Sequence, residues 1–218
     1  EFLISYMIKL AGDSKDINNA LRLYEYFELQ GYNFYTINYN SILWAMSNNR
    51  NYAEKTLEIF RKMKFQQVLP DVFTYTCVLN ATAILGDITT ANECLKEMKL
   101  MDIEINEHTC AGLIATYAGA ARIPYVKIEH LEEYSKDAWA IFKFMEENDI
   151  KIIPKAIDSL LAVHCQMHKM EDVDGLILPL YEKYGLEFTT FTYENLLRML
   201  FDVREYDRLI QIYENLNS

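Results

Sequence analysis

Residues 56–63, TLEIFRKM, carry the pattern that decides the fold of this chain. Leu57, Phe60 and Met63 recur at the spacing of one helix face, with charged residues between them, which predicts an amphipathic helix. The same pattern starts again at residues 20, 91, 138, 173 and 209, so the six starts lie 36, 35, 47, 35 and 36 residues apart. A nearly fixed period in this range predicts a stack of helical repeats.

A second pattern keeps the same period. The segments INYNSIL from Ile37 and FTYTCVL from Phe73 each begin at least 18 residues before the next octet. Related segments begin at Phe2, His108, Lys155 and Phe191. Two motifs per period predict two helices per repeat, and no convincing strand pattern competes with them.

Composition limits the class of protein. The chain has 218 residues, of which 51% are hydrophobic and 24% charged, and this is enough for a core that runs along a stack of repeats. No apolar run approaches the roughly 20 residues that cross a bilayer, so membrane insertion is not expected. The four cysteines are scattered without C-x-x-C pairs, which favours buried thiols in a reducing compartment over disulfides.

The charge balance opposes simple nucleic-acid binding. The chain has 32 acidic residues against 21 Lys and Arg, a formal net charge of −11. A nucleic-acid-binding domain usually carries a positive surface, and no DNA partner is expected here.

The chain resembles the pentatricopeptide repeat family. The clearest matches are Asn38–Leu43 followed by Leu69-Pro70-Asp71, and Phe73–Leu79 followed by Gly86, Ala91 and Met98. They look like the family's V-T-Y-N-T-L-I opening, its A-L-x-L-F-x-x-M helix and its K-P-D close. The related tetratricopeptide family is a weaker match, because its period is 34 residues and its W-x-x-L-G-x-x-Y signature is missing.

This resemblance implies an all-α fold, a right-handed α-solenoid of about six helix-turn-helix repeats with a concave groove. The whole chain, residues 1–218, is then a single solenoid. The predicted repeats are 1–35, 36–71, 72–106, 107–153 with an insertion at about 120–137, 154–189 and a truncated 190–218.

In this family one repeat contacts one base of single-stranded RNA through two or three side chains of the groove. The resemblance assigns the base-contacting positions to Asn40 and Asp71 in the second repeat, and to Thr76 and Asn106 in the third. In the family, the first pair is associated with uracil and the second with adenine. The resemblance also implies that three side chains sandwich the bases: Ile37, Phe73 and His108.

The other repeats depart from the family pattern. The equivalent pairs are Ser5 with Tyr35, Ala111 with Ile153, and Asp158 with Thr189, and none is a standard base-contacting pair. The positions where the family often carries Lys hold other residues: Asp13, Asn48, Ile84, Gly119, Gln166 and Asp202. The resemblance therefore implies few phosphate contacts. A plainer interpretation of Asn40 and Thr76 is that they satisfy backbone donors near helix starts.

No catalytic, metal or cofactor motif is recognised. His164 and His168 lie one helical turn apart, but no Glu follows His164 as in H-E-x-x-H and no third ligand is recognisable nearby. The G-x-S-x-G, P-loop and G-x-G-x-x-G patterns do not occur. We therefore expect no enzyme activity, no metal and no cofactor.

The insertion at about 120–137 lengthens the fourth repeat. It mixes Tyr125, Ile128, Leu131 and Tyr134 with charged residues, and Pro124 interrupts the helix before it. Two outcomes remain open, an exposed arm for a partner or an extra turn packed against its own repeat.

Two functions follow from the resemblance. The first is a non-catalytic module of organellar RNA metabolism or translation that contacts single-stranded RNA in its groove. The second is a protein scaffold within an organellar ribonucleoprotein such as a mitochondrial ribosome, without sequence-specific RNA binding. Both imply protein subunits as partners and a mitochondrial or plastid location.

Overall fold

The chain folds into consecutive pairs of helices, and the two helices of each pair pack against each other. The computed structural model describes residues 2–14 and 16–216, so the ends of the predicted first and last repeats, residues 1 and 217–218, lie outside the described residues, as does residue 15. The pairs are α1 Phe2–Asp13 with α2 Ile17–Leu29, α3 Thr36–Ser47 with α4 Ala53–Phe65, α5 Val72–Leu85 with α6 Ile88–Leu100, α7 Glu107–Ala121 with α8 Ile128–Glu147, α9 Pro154–Gln166 with α10, and α11 Thr190–Asp202 with α12 Tyr206–Leu216.

Two of the second helices are irregular. Helix α10 consists of Met170–Asp172, a π-helical turn Val173–Ile177 and Leu178–Lys183. Pro179 is the second residue after this turn and has no backbone N–H to donate, which favours such a departure from regular α-helix. A 3₁₀ turn, Arg50–Tyr52, precedes α4.

The first helices of successive repeats form one continuous inner layer. Helix α1 contacts α3, α3 contacts α5, and the series continues through α7 and α9 to α11, while each first helix also packs on its own second helix. No strand occurs within the described residues. The chain is a right-handed α-solenoid, so the predicted fold class is confirmed.

The tyrosines of Asn38-Tyr39 and Thr74-Tyr75 connect a first helix to the end of its second helix or to the helix itself. Tyr39 and Tyr75 are fully buried. The Tyr39 hydroxyl donates to Gln66 Oε1 at 2.6 Å, and the Tyr75 hydroxyl donates to Glu97 Oε2 at 3.1 Å. Each ring therefore fills the interior of a repeat while its hydroxyl reaches a polar partner, as a buried phenol requires.

Ion pairs connect the second helices on the outer side. Lys64 pairs with Glu97 at 2.6 Å, Lys183 pairs with Glu146 at 2.6 Å, and Lys62 pairs with Glu28. Each joins neighbouring repeats and is partly exposed, so each contributes about 0–1 kcal/mol.

Helices α5 and α7 approach each other more closely than a side chain would allow. A Cβ atom on Gly119 would lie 1.9 Å from the Ala83 carbonyl oxygen, and one on Gly112 would lie 2.9 Å from Leu79 Cβ. Gly86 follows α5 with φ +69°, a conformation that glycine adopts without strain. Small residues on α7 thus bring the third and fourth repeats together.

The insertion lengthens α8 instead of forming a separate arm. Leu131 is buried, and the Tyr134 ring packs on Tyr117 of α7 with 6.1 Å between ring centroids. Tyr125, in the turn before α8, is fully exposed. The helical part of the insertion therefore packs against its own repeat through Leu131 and Tyr134.

The four cysteines are buried and unpaired. Burial raises the pKa of the Cys77, Cys94 and Cys165 thiols to about 12, and that of Cys110 to about 11. These thiols stay protonated at neutral pH and act as small hydrophobic side chains.

Candidate nucleic-acid interface

The inner faces of α1, α3 and α5 enclose a cavity of 680 Å³. We call it the first cavity. Its lining combines apolar and aromatic side chains with a few polar groups, including Tyr6, Lys9, Ile37, Asn40, Trp44 and Phe73. Aromatic surface beside a few placed polar groups suits the stacking of a planar base.

The structure brings Asn40 and Asp71 together at this cavity. Asn40 Nδ2 donates to both carboxylate oxygens of Asp71, at 3.0 and 3.1 Å. The Thr74 hydroxyl donates to Asn40 Oδ1 at 2.6 Å. Asn40 is partly exposed and Asp71 is exposed, so both remain accessible from the groove. Asn40 bonds to side chains, not to the backbone donors of the plainer interpretation.

Asp71 also begins helix α5. Its Oδ1 accepts from the Thr74 backbone N–H at 2.8 Å, which is an N-cap interaction. The last residue of a predicted repeat therefore caps the first helix of the next one. One carboxylate both starts α5 and orients Asn40.

Thr76 and Asn106 do not hydrogen-bond to each other. The Thr76 hydroxyl donates to the Val72 carbonyl at 2.9 Å, one helical turn earlier. Asn106 caps α7, and its Oδ1 accepts from the backbone N–H of His108 at 3.1 Å and of Thr109 at 3.0 Å. No hydrogen bond joins Asn106 Nδ2 to any described residue, so this donor remains available to a ligand.

The three predicted base-sandwiching side chains are all exposed. Ile37 is 48% exposed and Phe73 is 42% exposed, and both line the first cavity. His108 is exposed at the start of α7. Trp44 lies close to Phe73, with 5.7 Å between ring centroids, and also lines the cavity. Its spacing from Ile37 and Asn40, seven and four residues, is the sequence signal that would have placed it on this face.

The position that matches Asn40 and Thr76 is buried in the first, fourth and fifth repeats. Ser5 is buried and accepts from Asn38 Nδ2 at 2.7 Å, and Ala111 is fully buried. Asp158 is buried and accepts from the hydroxyls of Tyr181 at 2.6 Å, of Thr189 at 2.8 Å and of Thr192. Asn40 and Thr76 are half-exposed at this position.

A second cavity, of 830 Å³, lies farther along the same inner layer, between the end of α3 and α11. We call it the second cavity. Four cationic side chains line it: Arg50, Arg122, Lys155 and Arg198. They come from positions other than those where the family often carries Lys, so the expected shortage of positive charge in the groove is wrong for this part of it.

Two of these cations bridge across the intervening helix. Lys155 Nζ donates to Asn80 Oδ1 at 2.5 Å. This hydrogen bond connects α9 to α5, although α7 lies between the two helices. Arg122 Nη2 donates to Asn195 Oδ1 at 3.0 Å, and its guanidinium lies 4.7 Å from the centroid of the Phe191 ring. The small side chains of α7 leave the room for these contacts.

His164 and His168 serve the structure of α9. His164 is buried, with Nδ1 at 3.0 Å from the Leu160 carbonyl and Nε2 accepting from Trp139 Nε1 at 3.4 Å. Burial lowers the pKa of His164. Within the described residues, no group of three or more His, Cys, Asp or Glu is placed to hold a metal. The described helices also include none with the length and apolarity of a membrane span.

Part of the chain matches a known repeat family. A model of the PPR repeat family matches residues 35–84, which contain Asn40, Asp71 and the T-Y motif of α5. Residues 35–84 of the chain therefore match the pentatricopeptide repeat family. The resemblance inferred from the sequence is therefore confirmed.

A curated protein is similar to this chain. The mitochondrial 15S rRNA processing factor ppr3 of Schizosaccharomyces japonicus is 24% identical over 183 residues. The match covers 82% of this chain but only 25% of that protein. The chain thus spans about a quarter of the length of that relative.

Solved structures share the fold. The pentatricopeptide repeat domain of Arabidopsis thaliana protein-only RNase P 1, in complex with tRNA, superposes with a TM-score of 0.66 at 17% identity, over 91% of this chain and 97% of that one. The pentatricopeptide repeat protein PPR10 bound to an 18-nt psaJ RNA element gives a TM-score of 0.54 at 15% identity, over 98% of this chain and 28% of that one. At these identities the likeness establishes the fold.

Proposed function

We propose that this chain is a non-catalytic RNA-binding module of organellar RNA metabolism or translation, and that it contacts unpaired RNA through its second and third repeats. One observation carries the proposal. Asn40 and Asp71 form a hydrogen-bonded pair at the edge of a cavity whose walls include the exposed side chains of Ile37 and Phe73. A base between these two walls would meet the polar pair.

The chemistry of the Asn40 and Asp71 pair fits uracil. One hydrogen of Asn40 Nδ2 is directed to Asp71, which leaves the second to donate to a carbonyl oxygen of the base. The Asp71 carboxylate keeps lone pairs that accept the N3–H of uracil. Cytosine has no N3–H and would leave the carboxylate unpaired, which costs binding free energy.

The chemistry of Thr76 and Asn106 fits adenine. The Thr76 hydroxyl donates its hydrogen to the Val72 carbonyl oxygen. Its oxygen keeps lone pairs that would accept a hydrogen bond from the N6 amino group of adenine. Asn106 Nδ2 has a hydrogen to donate to adenine N1. Stacking on Phe73 and His108 would contribute about 1–3 kcal/mol per base.

The organellar role rests on relatives. The Schizosaccharomyces japonicus relative is a mitochondrial rRNA processing factor, and two structural neighbours were solved with RNA. The mitochondrial relative supports a mitochondrial location for this chain. Protein subunits of an organellar complex as its neighbours are part of the proposal.

Titration with single-stranded RNA tests the proposal. An oligomer that contains U-A should bind more tightly than a scrambled oligomer across a series of salt concentrations. Thr76→Asn should shift the preference at the second base towards pyrimidine, because an amide replaces the hydroxyl that accepts from adenine. An unchanged base preference in Thr76→Asn would remove the assignment of Thr76 and Asn106.

The protein-scaffold function is favoured by the net charge of −11 and by the burial of the position that matches Asn40 and Thr76 in the first, fourth and fifth repeats. It predicts that neither oligomer binds measurably. That result would replace RNA recognition with protein contacts.

A further inference from the structure

The four cations of the second cavity have no carboxylate partner. Among the ion pairs between described residues, none includes Arg50, Arg122, Lys155 or Arg198. Asp158 is the one carboxylate among the described residues that line this cavity. Four positive charges against one negative charge make this part of the groove basic, although the chain as a whole is acidic.

Arg122 and Arg198 lie close enough at this cavity to repel each other. Burial, and then the neighbouring charge of Arg198, lower the pKa of Arg122, and burial lowers the pKa of Lys155. The Arg122 shift therefore includes repulsion between two cations, and the Lys155 shift reflects lost hydration alone. A bound anion would remove the repulsion and replace the lost hydration.

Two of the cations are already held in place. The Arg122 guanidinium is fixed by Asn195 and by the face of the Phe191 ring, and the Lys155 ammonium is fixed by Asn80. A guanidinium has five donors in a planar fork, so Arg122 keeps free N–H groups for an anion. Preorganised donors lose less side-chain entropy when a ligand binds.

The second cavity continues the path of the first. Phe73 lines the first cavity and Asn80 lines the second, and both lie on α5. They are seven residues, or two helical turns, apart on the same face, which corresponds to about 10 Å. If the bases of an RNA strand occupy the first cavity, the phosphates of the following nucleotides would therefore lie at the second cavity.

We infer that the second cavity is a phosphate-binding site, in which Arg50, Arg122, Lys155 and Arg198 hold the backbone of the RNA strand whose bases contact Asn40 and Thr76. This inference rests on the proposed function. It divides the groove into two parts: the first cavity recognises bases, and the second cavity, with Arg50 from the second repeat and the other three cations from the fourth to sixth repeats, binds phosphates without regard to sequence. The burial of Ala111 and Asp158, where those repeats would otherwise contact bases, agrees with this division.

The test is a set of binding isotherms in which charge is removed from the cavity. Arg50 and Arg198 make no hydrogen bond or ion pair with described residues, so Arg50→Gln and Arg198→Gln should leave the fold intact. Lys96→Gln is the matched control, since Lys96 is exposed on α6 and does not line the cavity. Thermal melting of all three variants checks the fold.

Fluorescence anisotropy with labelled U-A RNA should show a smaller salt dependence in both cavity variants. Each lost phosphate contact lowers the slope of log K against log salt by about 0.7, or about fourfold in affinity at roughly 0.15 M salt. Lys96→Gln should leave the slope unchanged. The preference for U-A over the scrambled oligomer should survive in all three variants.

The outcomes separate this inference from the proposed function. If U-A RNA binds with its preference but the cavity variants match Lys96→Gln, the phosphate site is wrong and the proposed function stands. A reduced slope without any U-A preference would support the phosphate site and remove the base-contacting assignment.

Two competitors identify the ligand. Inorganic tripolyphosphate is the first competitor. If it binds as tightly as RNA and its affinity falls in Arg198→Gln, the cavity binds phosphate groups and its ligand is a free phosphate compound. A polyglutamate peptide that competes as well as RNA would overturn the inference in favour of an acidic protein. Failure of both RNA and tripolyphosphate to bind would overturn it as well.

Discussion

At the scale of single residues, Asp71 has two tasks that can be separated by experiment. It caps α5 through the Thr74 N–H, and it orients Asn40. Asp71→Ala should lower the free energy of unfolding by about 1 kcal/mol, because the cap is lost, and should abolish the preference for uracil at the first base. Denaturant unfolding and RNA titration measure the two effects.

Asp87→Ala is the matched control for Asp71→Ala. Asp87 caps α6 by accepting from the Thr90 N–H at 3.0 Å, and it lines neither cavity. Its loss should cost a similar free energy of unfolding without any change in RNA preference. Equal RNA preferences in the two variants would show that Asp71 is only a helix cap.

His164 makes stability depend on pH. Burial lowers the pKa of His164, and the hydrogen bond from Nδ1 to the Leu160 carbonyl opposes this shift without cancelling it, so the folded ring is neutral at neutral pH. The unfolded chain takes up this proton near the usual value of about 6.5, before the folded chain does. Stability from His164 is therefore present above about pH 6.5 and is lost as the pH falls from there towards the folded-state pKa.

His164→Gln should remove the pH dependence of stability that His164 causes. The variant should be less stable at pH 7 by about 1–3 kcal/mol, because buried hydrogen bonds are lost, and its stability should fall less steeply below pH 6.5. Urea unfolding at a series of pH values measures both effects. His130→Gln, an exposed substitution in α8, should keep the wild-type slope; a wild-type slope in His164→Gln would contradict the assignment.

At the scale of helices, the contact of α5 with α7 depends on glycine. Gly119→Ala would place a Cβ 1.9 Å from the Ala83 carbonyl oxygen, which is backbone and cannot rotate away. Helix α7 would have to shift, at a cost of about 1–3 kcal/mol or more. The shift should also weaken the bridge from Lys155 to Asn80 across α7.

Gly175→Ala provides the comparison. Its Cβ would meet no atom within 4 Å, and Gly175 lies inside helix α10. This change should raise the free energy of unfolding by about 0.5–1 kcal/mol, because alanine is the better helix former. Equal stabilities of Gly119→Ala and wild type in denaturant titrations would disprove the tight contact.

The sequence predicted the helices because each repeat satisfies its own local rules. The octet spacing acts over a few residues, so a single repeat displays it. The family resemblance named Asn40 and Asp71 as a base-contacting pair, and their hydrogen bonds to each other became visible only in the structure. Arg50, Arg122 and Arg198 were missed because one lies in a turn, one directly follows α7 and one lies within α11, and only the packing of successive repeats brings them to one cavity. The insertion stayed ambiguous since its partner, Tyr117, lies on another helix.

At the scale of the whole molecule, the core runs along the stack, but the burial of side chains differs between the middle helices and the last one. Helices α5, α7 and α9 each lie between two neighbouring first helices and contain many buried side chains. None of the described side chains of α12 is fully buried. In an array stabilised by nearest-neighbour contacts, such regions open independently.

Hydrogen exchange followed by mass spectrometry should therefore show a gradient, with the slowest amides in α7 and α9 and the fastest helical amides in α12. Arg208 donates to Asp174 through two nitrogens, at 2.7 and 2.5 Å, and so ties α12 to α10. Arg208→Gln should speed exchange in α12 by up to about fivefold, since an exposed pair contributes at most about 1 kcal/mol, and should leave α7 unchanged. A uniform increase along the chain would mean that the repeats unfold as one cooperative unit, and that α12 is not stabilised separately by its neighbour.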